Sequence, residues 1–214
     1  MGRIKIAATA GIIMLIVAGG LIASNMGFRI LHSFKGPDGG VESLSGMNTL
    51  GLPYNMKPGL ETVADLWEDL LAQDVMVLEI RRYDTATGVE IVYTDGQPDF
   101  PLTPGEGYFI RVANDGDYTI QGSHSPGTSV ILYGPGPDSE SGQHFITIPY
   151  HALARTASDL FKEIGSPPML QIQRYDSATD QYAVYATGLP DFALVPGEAY
   201  RVKVSSRVDY IPAH

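Results

Sequence analysis

The sequence predicts a mostly β, α+β fold made of two tandem homologous domains, each an antiparallel sheet or sandwich carrying one amphipathic helix. Three observations predict it. A phrase, "RYDTATGVEIVY" from Arg82, returns as "RYDSATDQYAVY" from Arg174, and further matching segments flank both copies. Glycine (24) and proline (15) stand between short apolar runs, as turns between strands require. One amphipathic helical stripe occurs per copy.

The elements follow in the same order in each copy. A strand comes first, "FRILHSF" or "VILY", rich in β-branched and aromatic residues, and a Gly/Pro/Asp loop follows it. A second strand leads into Leu52-Pro53-Tyr54 or Ile148-Pro149-Tyr150. The helix then carries Val63, Leu66, Trp67, Leu70 and Leu71 on one stripe, repeated as Ala157, Leu160, Phe161 and Ile164. Thr62 and Thr156 stand where a hydroxyl can accept from a free N–H of the first turn. A hairpin comes next, with both arms alternating. Asp84 and Asp176 open its turn by accepting from the N–H two residues on, while Gly88 and Asp180 take the left-handed position that closes it. A Pro-Gly-Glu turn launches "GYFIRV" or "AYRVKV", and a last strand carries Asp117-Tyr118 or Asp209-Tyr210.

The matched segments are "LPYNMKPGLETVADLWEDLL" with "IPYHALARTASDLFKEIG", "PDFPLTPGEGYFIRV" with "PDFALVPGEAYRVKV", and "DYTIQGSH" with "DYIPAH". Aligning "FRILHSFKGPD" with "VILYGPGPD" gives an offset of 100, which falls to 96 at the LPY/IPY step and to 92 at the RYD phrase, so the second copy has lost loop residues. Two repeats are too few for a solenoid, but each is long enough for a core of its own. The expected organisation is 1–24 as a leader, 25–124 as the first domain and 125–214 as the second.

The leader is expected from "MGRIKIAATAGIIMLIVAGGLIASN". Arg3 and Lys5 form a basic head, Ile6 to Ala23 an apolar stretch, and Ser24-Asn25 a small polar exit. Cleavage after Ala23 or Ser24 is expected, the alternative being an uncleaved anchor of just-spanning length. Either predicts export, to the extracellular space, the cell surface or the periplasm. A formal charge of −10 disfavours nucleic acid and anionic lipid as partners, leaving membrane contact to the N-terminal segment. No cysteine is present, so disulfides, thiolate metal sites and a Cys nucleophile are excluded.

No side chain is assigned a catalytic, cofactor-binding or metal-ligating role. Asp84, Asp99, Glu106 and their counterparts Asp176, Asp191 and Glu198 recur in both copies, as turn-making acids do and a single catalytic pair does not. His32, His124, His144, His151 and His214 form no H-x-x-x-H pattern. Oxygen-rich "NDGDY" and "GPDG" are the only calcium candidates, and neither has EF-hand spacing. No G-x-S-x-G elbow or phosphate loop occurs. Trp67 aligns with Phe161 on the helical stripe and is expected in the core. Tyr83, Tyr93, Tyr182 and Tyr185 lie on hairpin arms, where cross-strand packing is expected.

The combination of LPY, TASDL, R-Y-D-x-A-T and P-G-E-G-Y resembles a repeat of secreted or surface bacterial proteins that often occurs in tandem. The resemblance implies location and modular build and carries no catalytic residue; the second copy departs from it at Asp180 and Ala199. The expected function is that of a non-enzymatic structural or adhesive component of the envelope, self-associating or binding other envelope components, with no cofactor. In one form, "NMGFRILHSF" or "GTSVILYGP" pairs with a neighbouring sheet edge and builds a filament. The alternatives are a carbohydrate- or polymer-binding module, which needs exposed coplanar aromatics, and a secreted hydrolase, which needs a pocket with convergent acids and a histidine.

Overall fold

The computed structural model describes residues 27–37, 43–123, 129–150 and 152–213. The leader, Asp38 of "GPDG" and His124, His151 and His214 lie outside the described residues. The chain is mostly β, with several antiparallel sheets and two helices among the described residues.

In the first half, β1 (Phe28–Phe34), β7 (Gly116–Ser123) and β3 (Asn55–Met56) form a sheet of order β1-β7-β3. A second sheet has the order β2-β6-β4-β5, from β2 (Met47–Gly51), β6 (Gly107–Val112), β4 (Val77–Asp84) and β5 (Val89–Tyr93). In the second half, β8 (Val130–Leu132) pairs with β13 (Val208–Tyr210). The other sheet there, β9-β12-β10-β11, is built from β9 (Gln143–Thr147), β12 (Ala199–Val204), β10 (Met169–Asp176) and β11 (Gln181–Tyr185). The two four-stranded sheets thus have one strand order, and each interrupts its third strand alike. Leu78 and Leu170 sit at matching irregularities in the ladder and are exposed.

Helix α1 (Val63–Leu71) packs on β4, and α2 (Ala157–Ile164) on β10. Both start with a capping box. Thr62 Oγ1 accepts from the Asp65 N–H at 3.3 Å while the Asp65 carboxylate accepts from the Thr62 N–H at 2.8 Å; Thr156 and Asp159 do the same at 3.2 and 3.1 Å. The repeated Pro-Asp-Phe adds a second acceptor, since Asp99 takes the Ala64 N–H and Asp191 the Ser158 N–H. Main-chain bonds from Val63 to Phe100 and from Ala157 to Phe192 then pin each helix to that loop.

Each helix closes its own core. Val63, Leu66, Trp67 and Leu70 join Phe34, Leu50, Ile80, Tyr108 and Ile120; Ala157, Leu160, Phe161 and Ile164 join Leu132, Ile146, Ile172, Tyr200 and Tyr210. Trp67 and Phe161 are both buried, as their shared stripe predicts. Leu71 is not. It is the last residue of the helix and 42% exposed. The hairpin turns form as expected: Asp84 accepts from the Ala86 N–H and Asp176 from that of Ala178, with positive φ at Gly88 (71°) and Asp180 (52°).

One sequence alignment shifts. Gly36 abuts the backbone of Asn114 as Gly134 abuts that of Ser206, and Pro37 and Pro135 contact Gly46 and Gly142. The upstream strands therefore match at an offset of 98, and buried Phe34 corresponds to buried Leu132. Matching the two prolines by their following aspartates had set the strands two residues out of phase.

Candidate functional site: a two-fold seam between the sheets

On the side away from its helix, each four-stranded sheet turns inward to meet the other. Met47, Tyr83, Phe109, Phe145 and Ala199 form a third buried cluster there, with Tyr175 and Tyr182 packed against it. Phe109 and Phe145 stack at 4.6 Å, and Tyr175 meets Phe109 edge-on.

The contacts across this seam come in reciprocal pairs. The Gly51 N–H donates to the Gly197 carbonyl at 2.8 Å, and the Thr147 N–H to that of Gly105 at 2.9 Å. The Leu44 N–H donates to the Ser177 carbonyl at 3.2 Å, and the Glu140 N–H to that of Thr85 at 3.1 Å. The Tyr83 hydroxyl lies 3.3 Å from Ser141 Oγ, while Tyr175 and Ser45 meet on the Asp180 carboxylate. In every pair the two halves exchange equivalent positions, which is the signature of a two-fold axis within one chain. Gly107 and Ala199, also equivalent, face each other. A Cβ on Gly107 would stand 2.3 Å from the Ala199 methyl, so one of the pair must be glycine.

Charge crosses the same seam. Arg111 pairs with Glu79 at 2.8 Å, Arg81 bonds both Glu79 and Glu90, and Arg201 reaches over from β12 to Glu90 at 2.7 Å. The Arg201 guanidinium also lies over the rings of Tyr83, Phe109 and Tyr182 at 5.3, 5.4 and 5.0 Å. Glu79 is only 6% exposed. Burial opposes the Arg81 cation, but its bonds to the two glutamates prevail and hold its pKa above the ordinary value. The Nε–H groups of Arg111 and Arg201 are buried without a hydrogen-bond partner.

Clefts open at the two ends of the seam. One, of about 300 Å³, is lined by Tyr83, Gly105, Glu106, Ile131, His144 and Phe145, and an adjoining space of about 280 Å³ adds Arg82, Asp84, Tyr133 and Asp138. The other, about 180 Å³, is lined by the equivalent Tyr175, Ser177, Glu198 and Asn48, with His32 and Ser33. Glu198 is held there by Arg174 in a two-bond pair at 2.7 and 2.8 Å. Glu106 has no arginine bonded to it among the described residues: burial pushes its carboxyl pKa up, against hydrogen bonds from Thr103 and, at 3.4 Å, from Tyr108. Arg82 instead lies over the Phe100 ring.

The larger cleft does hold acids and a histidine, the combination a hydrolase would need. The two-fold mate decides what that histidine does. Asn48 bonds the N–H and carbonyl of Lys35 at 2.9 Å each, tying β2 to the end of β1. His144 Nε2 accepts from the Tyr133 N–H at 2.8 Å and lies 2.9 Å from the Tyr133 carbonyl, tying β9 to β8. Its ring nitrogen is thus committed to the main chain, and burial lowers its pKa.

The "NDGDY" acids are likewise engaged. Asp115 accepts from the Gly36 N–H and pairs with Lys35, and Asp117 accepts from Ser33. Among the described residues no group of three His, Asp or Glu side chains is placed to hold a metal, and no helix is long and apolar enough to cross a membrane. Of the hairpin tyrosines, Tyr83 and Tyr93 are buried and Tyr182 and Tyr185 half-buried. None of the seven phenylalanines, twelve tyrosines or the single tryptophan is exposed.

Sequence reasoning missed the charged seam. Glu79, Arg81, Glu90 and Arg111 alternate with core residues on their strands and so resemble a wet face. Their second-half counterparts are Gln171, Gln173, Tyr182 and Lys203, so no repeated motif marked them. Comparison with family models, with curated proteins and with solved structures finds no match for this chain.

Proposed function

We propose that this chain is an exported, non-enzymatic assembly protein of the cell surface or extracellular space, built of two tandem domains, 25–124 and 125–214. The observation that carries this reading is where its aromatic side chains go. Most fill two helix-backed cores and the seam, and none is left exposed for a sugar ring to stack on. That weighs against the carbohydrate-binding alternative, which depends on such a platform. The commitment of His144 to the main chain weighs against the hydrolase. The described chain has four sheets in two halves that meet at the seam. Its edge strands β5 and β11 are unpaired on their outer side among the described strands.

Strand donation is a costly way to join such chains. β1 is registered along all seven residues against β7, and Phe34 at its end is in the core. The reading is tested by light scattering after size exclusion, with negative-stain microscopy, on protein from residue 25 onward over a wide concentration range. Regular oligomers or filaments are expected. A clean monomer at every concentration overturns the assembly role and makes a ligand screen of the 300 Å³ cleft the next step.

A further inference from the structure

We propose that the seam is also made between chains, with residues 27–123 of one copy docked on residues 129–213 of another. The inference rests on the assembly reading and names its partner, a second copy of this chain, and its surface, the inner faces of the two four-stranded sheets.

The partition of the strands permits it. Every named sheet draws its strands from one half only, so the halves can part without breaking a sheet. What crosses is the seam, with its reciprocal main-chain bonds and one isolated bridge between Glu106 and Ile146, and beside it the ring contact of Phe28 with Tyr150 at 4.2 Å. The covalent link is the chain from Ser123 to Val130 alone.

The chemistry of the seam favours exchange over permanence. Beside its aromatic cluster runs a chain of arginines and glutamates, two of the arginines keeping a buried Nε–H unpaired, and part-buried charge networks of this kind add little net stability. Contacts between domains of one chain resemble transient protein–protein interfaces and open accordingly. The faces are complementary: Glu90 on one meets Arg201 on the other, and Gly107 leaves room for the Ala199 methyl. Every other copy carries that complement by identity. A short connection holds the halves at an effective concentration in the ~mM range, so exchange is a property of crowded protein, as at a surface. The exchanged product restores every seam contact and, each chain passing its free half to the next, runs on as an open linear polymer.

The test uses the absence of native cysteine. The double variant Thr85→Cys/Glu140→Cys, on protein from residue 25 onward, places thiols where the Glu140 N–H meets the Thr85 carbonyl across the seam. The variant Ser45→Cys/Asp180→Cys does so at the two-fold-related end, and guards against failure of the first pair to fold. Each is oxidised at low and high concentration and run on a non-reducing gel beside light scattering of the reduced protein. The expected result is a covalent ladder that grows with concentration, where either single-cysteine control stops at a dimer. Oligomers by light scattering with only covalent monomers on the gel mean that the seam closes within each chain. That outcome overturns the exchange and leaves the assembly reading standing. No oligomers and no ladder overturn both.

Discussion

The two sheet faces that meet at the seam occupy equivalent positions on one two-fold axis, yet only one of them pairs arginines with its own glutamates. The first half presents Glu79, Arg81, Glu90 and Arg111; the second presents Gln171, Gln173, Tyr182 and Lys203. Nearest the axis, Phe109 faces its own counterpart, Arg201, at 5.4 Å. In a dimer of identical subunits those positions would oppose like with like, ring to ring or cation to cation. Two halves of one chain escape that constraint, so the axis can hold a cation over an aromatic ring, and an arginine from one face can complete an ion-pair chain on the other. The same freedom appears at Gly107 and Ala199, where only one of two equivalent residues can carry a methyl.

Three predictions break or sharpen this contrast. The largest effect is expected at Arg201. Arg201→Ala strips Glu90 of one partner and the aromatic cluster of its cation, and should cost about 3 kcal/mol by chemical denaturation. The equivalent pair Arg111→Ala and Lys203→Ala should separate, the first costing about 1–2 kcal/mol through Glu79 and the second less than about 0.5. Equal costs for the two would deny that only the first face pairs this position with a buried acid.

Next comes the axis itself. Gly107→Ala forces two methyls together and should destabilise the protein by about 1–3 kcal/mol. Adding Ala199→Gly should recover most of that loss, since the methyl then merely changes sides. Thermal melts of the two singles and the double form a cycle, and absence of recovery would show that the clash is not with Ala199.

The smallest effect distinguishes the clefts. Glu198→Gln should cost about 1 kcal/mol by weakening its pair with Arg174. Glu106→Gln should instead stabilise the protein at neutral pH, because burial raises the Glu106 pKa above its unfolded value. The native state then holds its proton to higher pH than the unfolded state, so stability is lost as pH rises through that window, and glutamine removes the loss. His144 has the opposite sign. Its pKa is lowered from 6.5, so stability falls as pH drops below that value, and His144→Asn, borrowing the residue at position 48, should flatten the acid limb. Melting temperature against pH for the three variants measures all of this at once.

Local structure was legible wherever a residue acts on its own neighbours. Thr62 and Thr156, the aspartates of the hairpin turns, Gly88 with its strained stand-in Asp180, and the buried Trp67–Phe161 pair all follow from spacing and side-chain chemistry. The Asp99 and Asp191 caps were half legible, as turn acids whose second task at a helix start requires the loop to fold back. The upstream strand offset went astray because two prolines and an aspartate match as text while Phe34 and Leu132 match as core.

The sequence by itself determined the order of strands and helices, the apolar face of each helix, the turns and the repetition, because those depend on contacts made within a few residues or within one period of alternation. Only the tertiary structure decided what the second face of each sheet does. Alternation divides a strand into two faces but cannot say whether a face bearing Glu79, Arg81 and Glu90 is wet. A charged face can be buried where opposite charge arrives from elsewhere, and here it arrives from Arg201, more than a hundred residues away in the chain and 2.7 Å away in space.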